Sequence, residues 1–506
     1  MSFEPSHLRQ DLLREIMMAR RRVYRVGSAT PTEELDIPEI GRLWLKREDL
    51  SQVHAYKWRG AFNKMAILAE NGCTQGVTAA SAGNHAQGVA LAASRLDMQA
   101  TIFMPSNTPG TKRAAVAKHG GDHVTIRIVG DTYDEAAAAS KKYAKEHDLI
   151  TIPAYDDLEV MGGQGTVADE IVLSGSGPFT TVYVPIGGGG LAAGVACWLK
   201  AYYPDIQVIG VEGEGQASMK RAMDAGGVPS PLDYVDVFCD GTAVRQTGDL
   251  TTPLCAELLD GIITLSNDLV CAAIQLLWSH ARILPEPSGA LGVAAMLKQK
   301  PPSGARPIAI ISGGNVDFEQ LAWIARRAGI GLKRRRFFRF HIREETGSLI
   351  QLLEQALDGI NIFDFQYGKL HRDYAWPVLG CEGTDAQFAA LDRQLALLGI
   401  EAKEVTGEAD VDFRIIHYES DLWAKPFFCI LEFPERPGAL FDFMRVVGQR
   451  TSICYFNYAS TGEQVGRALM GFEFETESDE HWFKALLEES GLAHHPLPLE
   501  TVRRIL

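Results

Sequence analysis

Between about residues 75 and 330 the chain alternates. Short β-rich runs, GVTAAS, ATIFMP, HVTIRIVG, LITIPA, TVYVPI, IQVIGVE, IITLS and PIAIISGG, are separated by alanine-rich helical stretches. Few folds accept that pattern. Parallel strands need long crossover connections, and helices serving as crossovers cover both faces of the sheet, which predicts an α/β unit with a mostly parallel, open sheet. Ligands of such sheets bind outside the carboxyl ends of the strands. Three of the runs empty directly into small-residue loops, AASAGNH, PIGGGG and ISGGN, and the site is expected there.

Composition narrows the partners. With 506 residues, 46% of them hydrophobic, the chain is long enough for at least three domains, and its formal net charge of -15 disfavours a nucleic acid or an anionic membrane surface. A small-molecule ligand fits better. The eight cysteines are scattered without a CxxC pair, which points to reduced core cysteines in a cytoplasmic protein rather than a zinc or dithiol motif. The first residues, MSFEPSHLRQDLLREI, contain no apolar signal core. Residues 171–199 carry no charged side chain, yet Pro178, Pro185 and four glycines make them a strand, a turn and a helix rather than a membrane span.

After about residue 330 the texture becomes aromatic and repeats itself. Aligning Gly347 of REETGSL with Gly438 of PERPGAL sets an offset of 91 residues, which also pairs Leu349 with Leu440, Ile362 with Ile453, Phe365 with Phe456 and Tyr367 with Tyr458. Each copy reads as a strand, a glycine-capped loop, a helix and further strands, suiting an α+β, ferredoxin-like βαββαβ unit. The two copies can pack face to face or side by side. Either way the related loops offer free N–H groups to a carboxylate, so an amino-acid effector is expected. Oligomer contacts are the competing use of the repeat.

The glycines at 187–190 open a helix expected to begin at Leu191, where unpaired backbone N–H groups without flanking Cβ atoms can surround a phosphate. No Lys-Ser/Thr pair follows, so a nucleoside-triphosphate loop is excluded. A dinucleotide site stays open from this segment alone: Gly187, Gly189 and Ala192 satisfy G-x-G-x-x-A, and Glu212 ends the next strand. In AYKWRGA, Lys57 stands at a helix start, where the positive end of the dipole disfavours its charge and suits an amine that must react. SAGNHAQG offers Ser81, Gly83, Asn84 and His85 to a carboxylate, and Ser312 ends the last strand.

Together these residues carry a resemblance. From about residue 20 to 330 the chain resembles the pyridoxal-phosphate enzymes of fold type II, and within them the serine/threonine dehydratases: KWRGA at 57–61, SAGNHAQG at 81–88, the tetraglycine loop, EPSGA at 286–290 and SGGN at 312–315 match in order and spacing. With its C-terminal repeat, the whole chain is similar to the feedback-regulated, biosynthetic threonine deaminases of that family.

The resemblance implies a catalytic part over 1–330, made of two open-sheet subdomains with the small one at about 46–155, followed by two ACT-like units at 336–415 and 425–506. It implies pyridoxal 5'-phosphate as cofactor, with Lys57 bonding to it and removing the α-proton. Gly187, Gly188, Gly189, Gly190 and Leu191 would donate N–H groups to its phosphate, Asn84 would meet the ring hydroxyl, and Ser312 the pyridine nitrogen. Ser81, Gly83, Asn84 and His85 would hold the substrate carboxylate. A neutral serine at the ring nitrogen does not stabilise a protonated ring as a carboxylate does, which favours loss of the β-hydroxyl over transamination.

Related racemases carry serine where Ala82 stands, so Ala82 implies dehydration. The implied reaction is deamination of threonine to a 2-oxo acid and ammonia as the first step of isoleucine biosynthesis, with a serine dehydratase of the same fold as an alternative. Isoleucine would inhibit, valine would oppose it, and the assembly would be a homotetramer. Glu212 and Glu214 have no third acidic partner in the sequence, so no metal is assigned. A β-replacement enzyme of the same fold, an NAD-type oxidoreductase and a non-catalytic amino-acid sensor are the alternatives.

Overall fold

The computed structural model describes residues 5–423, 425–434, 442–445, 451–460, 465–474, 476–489 and 493–505. Its contacts divide the chain into two units, Met1–Gly331 and Leu332–Leu506.

The first unit opens with helix α1, Pro5–Val26, whose Leu8, Leu12, Ile16, Ala19 and Val23 recur every three or four residues and are all buried. A hairpin of β1, Thr32–Ile37, and β2, Gly41–Arg47, follows, then helix α2, Trp58–Glu70. The hairpin is absent from the sequence reading. Strand β3, Val77–Ala80, runs into helix α3, Asn84–Leu96, and β4, Ala100–Met104, β5, Val124–Ile128, and β6, Ile150–Thr151, complete a four-stranded parallel sheet in the order β5-β4-β3-β6.

The larger sheet has the order β1-β2-β10-β7-β8-β9, with β7 at Thr181–Pro185, β8 at Gln207–Gly213, β9 at Gly261–Leu265 and β10 at Pro307–Ile311. All its pairings are parallel except the β1–β2 edge. Strands β7 and β10 are buried along their whole length, as expected for central strands covered by helices on both faces. The loops after β3, β7 and β10 leave carboxyl ends of strands, as the alternation requires.

The second unit is built on one nine-stranded sheet. Its first half comprises β11, Arg335–Arg343, β12, Asn361–Gly368, β13, Tyr374–Ala375, β14, Val378–Glu382, and β15, Glu401–Glu404, with helices Ser348–Gln355 and Asp385–Leu398. The second half comprises β16, Phe427–Pro434, β17, Ser452–Ala459, β18, Val465–Glu473, and β19, His494–Pro496, with helix Glu477–Glu489. Both halves follow the expected βαββαβ order, and residues 442–445 are helical where the second copy needs its first helix.

The halves join side by side through antiparallel β12 and β17, a choice the sequence left open. Gln366 lies opposite Asn457, so the register is centred on a pair 91 residues apart, the offset of the repeat itself. Phe365 and Phe456, also repeat mates, stack with ring centroids 4.1 Å apart. Such pairing places a pseudo-twofold axis at the β12–β17 seam. Arg335 and Arg336 begin β11 and pair with Glu382 and Asp385. The PERPGAL loop with Gly438 and Leu440 lies outside the described residues.

Among those described, no helix is long and apolar enough to cross a membrane. All eight cysteines are free thiols and all but Cys73 are buried.

Candidate active site

Four segments of the first unit meet in one place. Lys57 is the N-cap of α2, half-buried, and its side chain makes no hydrogen bond or ion pair among the described residues. Burial pushes its ammonium down to about 8, against an opposing pull from Glu286, so near pH 8 comparable amounts of neutral amine and ammonium are present. Its neighbour Arg59 ties this helix start down. The buried guanidinium pairs with Glu48 at 2.8 Å and with Glu170 at 2.6 Å, and Glu170 also meets buried Lys46 at 2.6 Å. Charges that have left water hold their geometry only when fully paired, and here each one is.

The last strand's loop lies against Lys57. Tyr56 N–H donates to the Ser312 carbonyl at 3.1 Å, Ala55 forms a bridge with Gly313, and Gly314 N–H reaches His54 O at 2.8 Å. Ser312 itself is buried. From the other subdomain, the first intrahelical bond of α3 runs from Gln87 N–H to Gly83 O, which leaves the N–H groups of Asn84, His85 and Ala86 ahead of the helix's own ladder. Ser81 Oγ accepts the Gly83 N–H at 3.2 Å and so shapes the turn.

The His85 ring is engaged with the backbone of Ile152. Its Nε2 sits 2.9 Å from Ile152 O, and a carbonyl can only accept, so the proton is on Nε2 and Nδ1 is a bare acceptor. Burial and the nearby Lys57 push the ring down to about 4, keeping it neutral. A carboxylate can therefore be held at His85 through the backbone N–H, not through the imidazole.

The glycine turn follows β7. The helix begins at Gly190, one residue before the expected Leu191, and runs to Tyr202. Its first backbone bond closes from Ala193 N–H to Gly189 O, leaving the N–H groups of Gly190, Leu191 and Ala192 ahead of the ladder. The turn is pressed against its own protein: a Cβ on Gly188 would lie 2.2 Å from the Tyr155 ring, and Gly189 has φ +97 with Thr251 Cβ at 2.8 Å from any added methyl. Thr251 Oγ1 also donates to Gly188 O at 2.6 Å. Tyr155 and Thr251 are thus supports of the loop that the sequence did not announce. Gly189→Ala is expected to strain the left-handed backbone by about 1–3 kcal/mol. Cofactor retention on gel filtration should fall with it, and unchanged retention would show the turn to be dispensable.

Glu286 is the other residue the sequence reading left without a role, although EPSGA was quoted. Its carboxyl accepts Asn84 Nδ2 at 2.8 Å, and Asn315 Nδ2 donates to Asn84 Oδ1 at 2.7 Å. Burial first, then Asp240, pushes this carboxyl up to about 8. The path back to the glycine turn is short, because Thr242 Oγ1 lies 3.1 Å from Ser288 Oγ and a Cβ on Gly187 would touch the Thr242 backbone at 3.0 Å. Lys57, Ser312, Asn84 and the turn are therefore linked by a short run of contacts.

A reactive amine, a cluster of N–H groups for a dianion and a neutral hydroxyl on a third loop fit a phosphorylated aldehyde cofactor. They do not fit a dinucleotide. Glu212, the acid the ribose would need, is fully buried and accepts the N–H groups of Met219 and Lys220 at 2.8 and 2.9 Å, capping the next helix. No cluster of three metal-ligating side chains occurs among the described residues.

The second unit has a cavity of its own, with an empty volume of about 460 Å³ counted out to its mouth. REETGSL forms one wall, Phe365 and Tyr367 another, and Met444 and Ile453 from the second half a third. Gly347, at φ +96, caps helix Ser348–Gln355, leaving Leu349 and Ile350 N–H groups ahead of its ladder. Glu344 Oε2 accepts the Tyr367 hydroxyl at 2.5 Å, and burial pushes the Glu344 carboxyl up to about 7.

Comparison with known proteins gives these features a family. The model of pyridoxal-phosphate dependent enzymes matches residues 24–313, and that of the C-terminal regulatory domain of threonine dehydratase matches 424–502. The chain is 37% identical over 477 residues to the biosynthetic L-threonine dehydratase of Burkholderia multivorans, covering 92% of each. It is 36% identical over 497 residues to that of Escherichia coli, covering 96% of this chain and 95% of the relative. Among solved structures, the processed threonine deaminase isoform 2 of Solanum lycopersicum is 38% identical, with TM-score 0.59 over 65% of this chain and 95% of the other. A second solved threonine deaminase, that of T.th., is 33% identical, with TM-score 0.56 over 60% of this chain and 99% of its own. This chain belongs to the pyridoxal-phosphate-dependent enzymes of fold type II, in the group of biosynthetic threonine dehydratases that carry a C-terminal regulatory domain.

Proposed function

We propose that this protein deaminates L-threonine to the 2-oxo acid and ammonia, and that isoleucine, opposed by valine, controls it through the second unit. What supports the reading is that contacts tie the Lys57 segment to the Ser312 loop and lead on through Glu286, Ser288 and Thr242 to the glycine turn, in a chain of this family membership. The cofactor, when bound, supplies the electron sink for removal of the α-proton.

Lys57 holds the cofactor and moves that proton, a task suited to an amine whose charge burial has weakened. N–H groups of Gly187, Gly188, Gly189, Gly190 and Leu191 hold the phosphate, Ser312 Oγ meets the ring nitrogen, and Asn84 the ring hydroxyl. Ser81, Gly83, Asn84 and His85 orient the substrate carboxylate, His85 by its N–H. Ala82 offers no second acid or base, which supports elimination over racemisation. We extend the reading to a homotetramer in the cytoplasm, which light scattering and fractionation test. Release of 2-oxobutanoate from threonine tests the reaction, and absence of that product would refute it.

The cavity of the second unit supports a zwitterionic effector. The N–H groups of Leu349 and Ile350 suit its carboxylate, Glu344 its ammonium, and Ile342, Phe365, Met444 and Ile453 its aliphatic side chain. Because the Glu344 carboxyl titrates near pH 7 and an ammonium prefers it ionised, isoleucine binding should strengthen as pH rises from 6 to 8. Glu344→Gln should flatten that dependence and weaken binding about tenfold or more at pH 8. Calorimetry checks both, and affinity that rises as pH falls would contradict the assignment.

A further inference from the structure

We propose that Glu286 is a positioning residue of the active site, whose carboxyl fixes which way the Asn84 amide faces and so presents that amide's second N–H to the cofactor's ring hydroxyl. This rests on the reading that Asn84 meets that hydroxyl. An amide can usually be turned over without a visible difference, so its orientation has to be argued from its partners.

Here the partners settle it, beginning at a backbone carbonyl. Asn315 Nδ2 lies 2.8 Å from Val53 O, which can only accept, so that end of Asn315 is the donor. The same nitrogen reaches Asn84 at 2.7 Å, so the Asn84 atom there is its oxygen, and its nitrogen faces Glu286 Oε1 at 2.8 Å. Glu286 closes the ladder as the acceptor. Its own N–H donates to Gly313 O at 3.1 Å, which fixes it to the Ser312 loop.

Space around the carboxyl is reserved for it. A Cβ at Gly313 would lie 2.5 Å from Glu286 Oε1, so no side chain other than hydrogen fits there without moving the acceptor, and one at Gly241 would crowd the same atom at 3.1 Å. Asp240 and Lys112 reach it from the large and small subdomains, and Lys57 and Tyr56 from the segment before α2. Burial holds the carboxyl largely neutral at pH 7, a form that accepts from Asn84 as a glutamine carbonyl would.

The test uses the full-length holoenzyme and reads the absorption maximum of the bound cofactor together with the cofactor dissociation constant of the reconstituted apoprotein. Glu286→Ala should shift the maximum and weaken cofactor binding about tenfold. Glu286→Gln should restore both. Asn84→Ala should produce the same shift, and the double variant should go no further than Asn84→Ala alone. If Glu286→Ala does not fold, Glu286→Asp, which withdraws the acceptor by one methylene, takes its place with the same expected shift.

Three results would overturn the proposal: a cofactor spectrum unmoved by loss of the acceptor while only the melting temperature falls, a glutamine variant as impaired as alanine, or additive shifts in the double variant. An unmoved spectrum and affinity in Asn84→Ala would overturn the underlying reading of Asn84 instead, and this proposal with it.

Discussion

Replacing Lys57 by alanine should abolish threonine deamination, with kcat falling at least about 10^3-fold, since one residue is asked both to bond the cofactor and to move the α-proton. The fold should survive. The Lys57 side chain makes no ion pair or hydrogen bond that holds the structure among the described residues, and the start of α2 is anchored by Arg59 through Glu48 and Glu170. The turn after β7, proposed to hold the phosphate, is untouched by the change, so the variant should still take up cofactor, more weakly and without the visible absorption band of the parent. Retained band and retained activity in Lys57→Ala would mean that another amine does the work.

Ending the chain at Gly331 should leave kcat/KM for threonine within about twofold of the parent and remove the response to isoleucine altogether. The physical basis is the division of the core. The buried cluster of the second unit draws its members from Phe338 to Leu487, and the buried apolar side chains of the first unit end at Ala328, so the cut falls between the two. A solved relative that this chain matches over 99% of its length corresponds to only 60% of this chain, which fits a catalytic unit able to stand alone. An effector acts only through its different affinity for two states of the protein, so removing its site removes the coupling. Inhibition that persists in the truncated protein would place the effector site before residue 332.

The parts of this molecule that were legible in the sequence are those where a period or a backbone requirement leaves a local mark. The β/α alternation pointed to the parallel sheets, and the glycines after β7 marked a tight turn in which Gly188 and Gly189 have no room for a Cβ. The 91-residue offset predicted two βαββαβ copies. The β12–β17 seam was not predictable, since its strands serve equally well at a sheet edge or a sheet centre until a partner is present.

The β1–β2 hairpin was hidden for a different reason. Lys46 and Arg47 end β2 with charges that read as a surface turn, whereas Lys46 is fully buried against Glu170 and Thr30, partners 124 and 16 residues away. Long-range pairing of that kind leaves no local signal. The same holds for Glu286, whose acceptor role depends on Asn84, 202 residues away in sequence. Glu212 shows the converse failure: its spacing from the glycines mimics a dinucleotide fingerprint, but its carboxylate is consumed in capping the next helix.

The most direct measurement is 2-oxo acid release by the purified full-length protein, loaded with pyridoxal phosphate and supplied with threonine, with and without isoleucine. The account predicts 2-oxobutanoate and ammonia in equal amounts, suppressed by isoleucine and restored when valine is added. A protein that binds the cofactor yet releases neither product from threonine would contradict it.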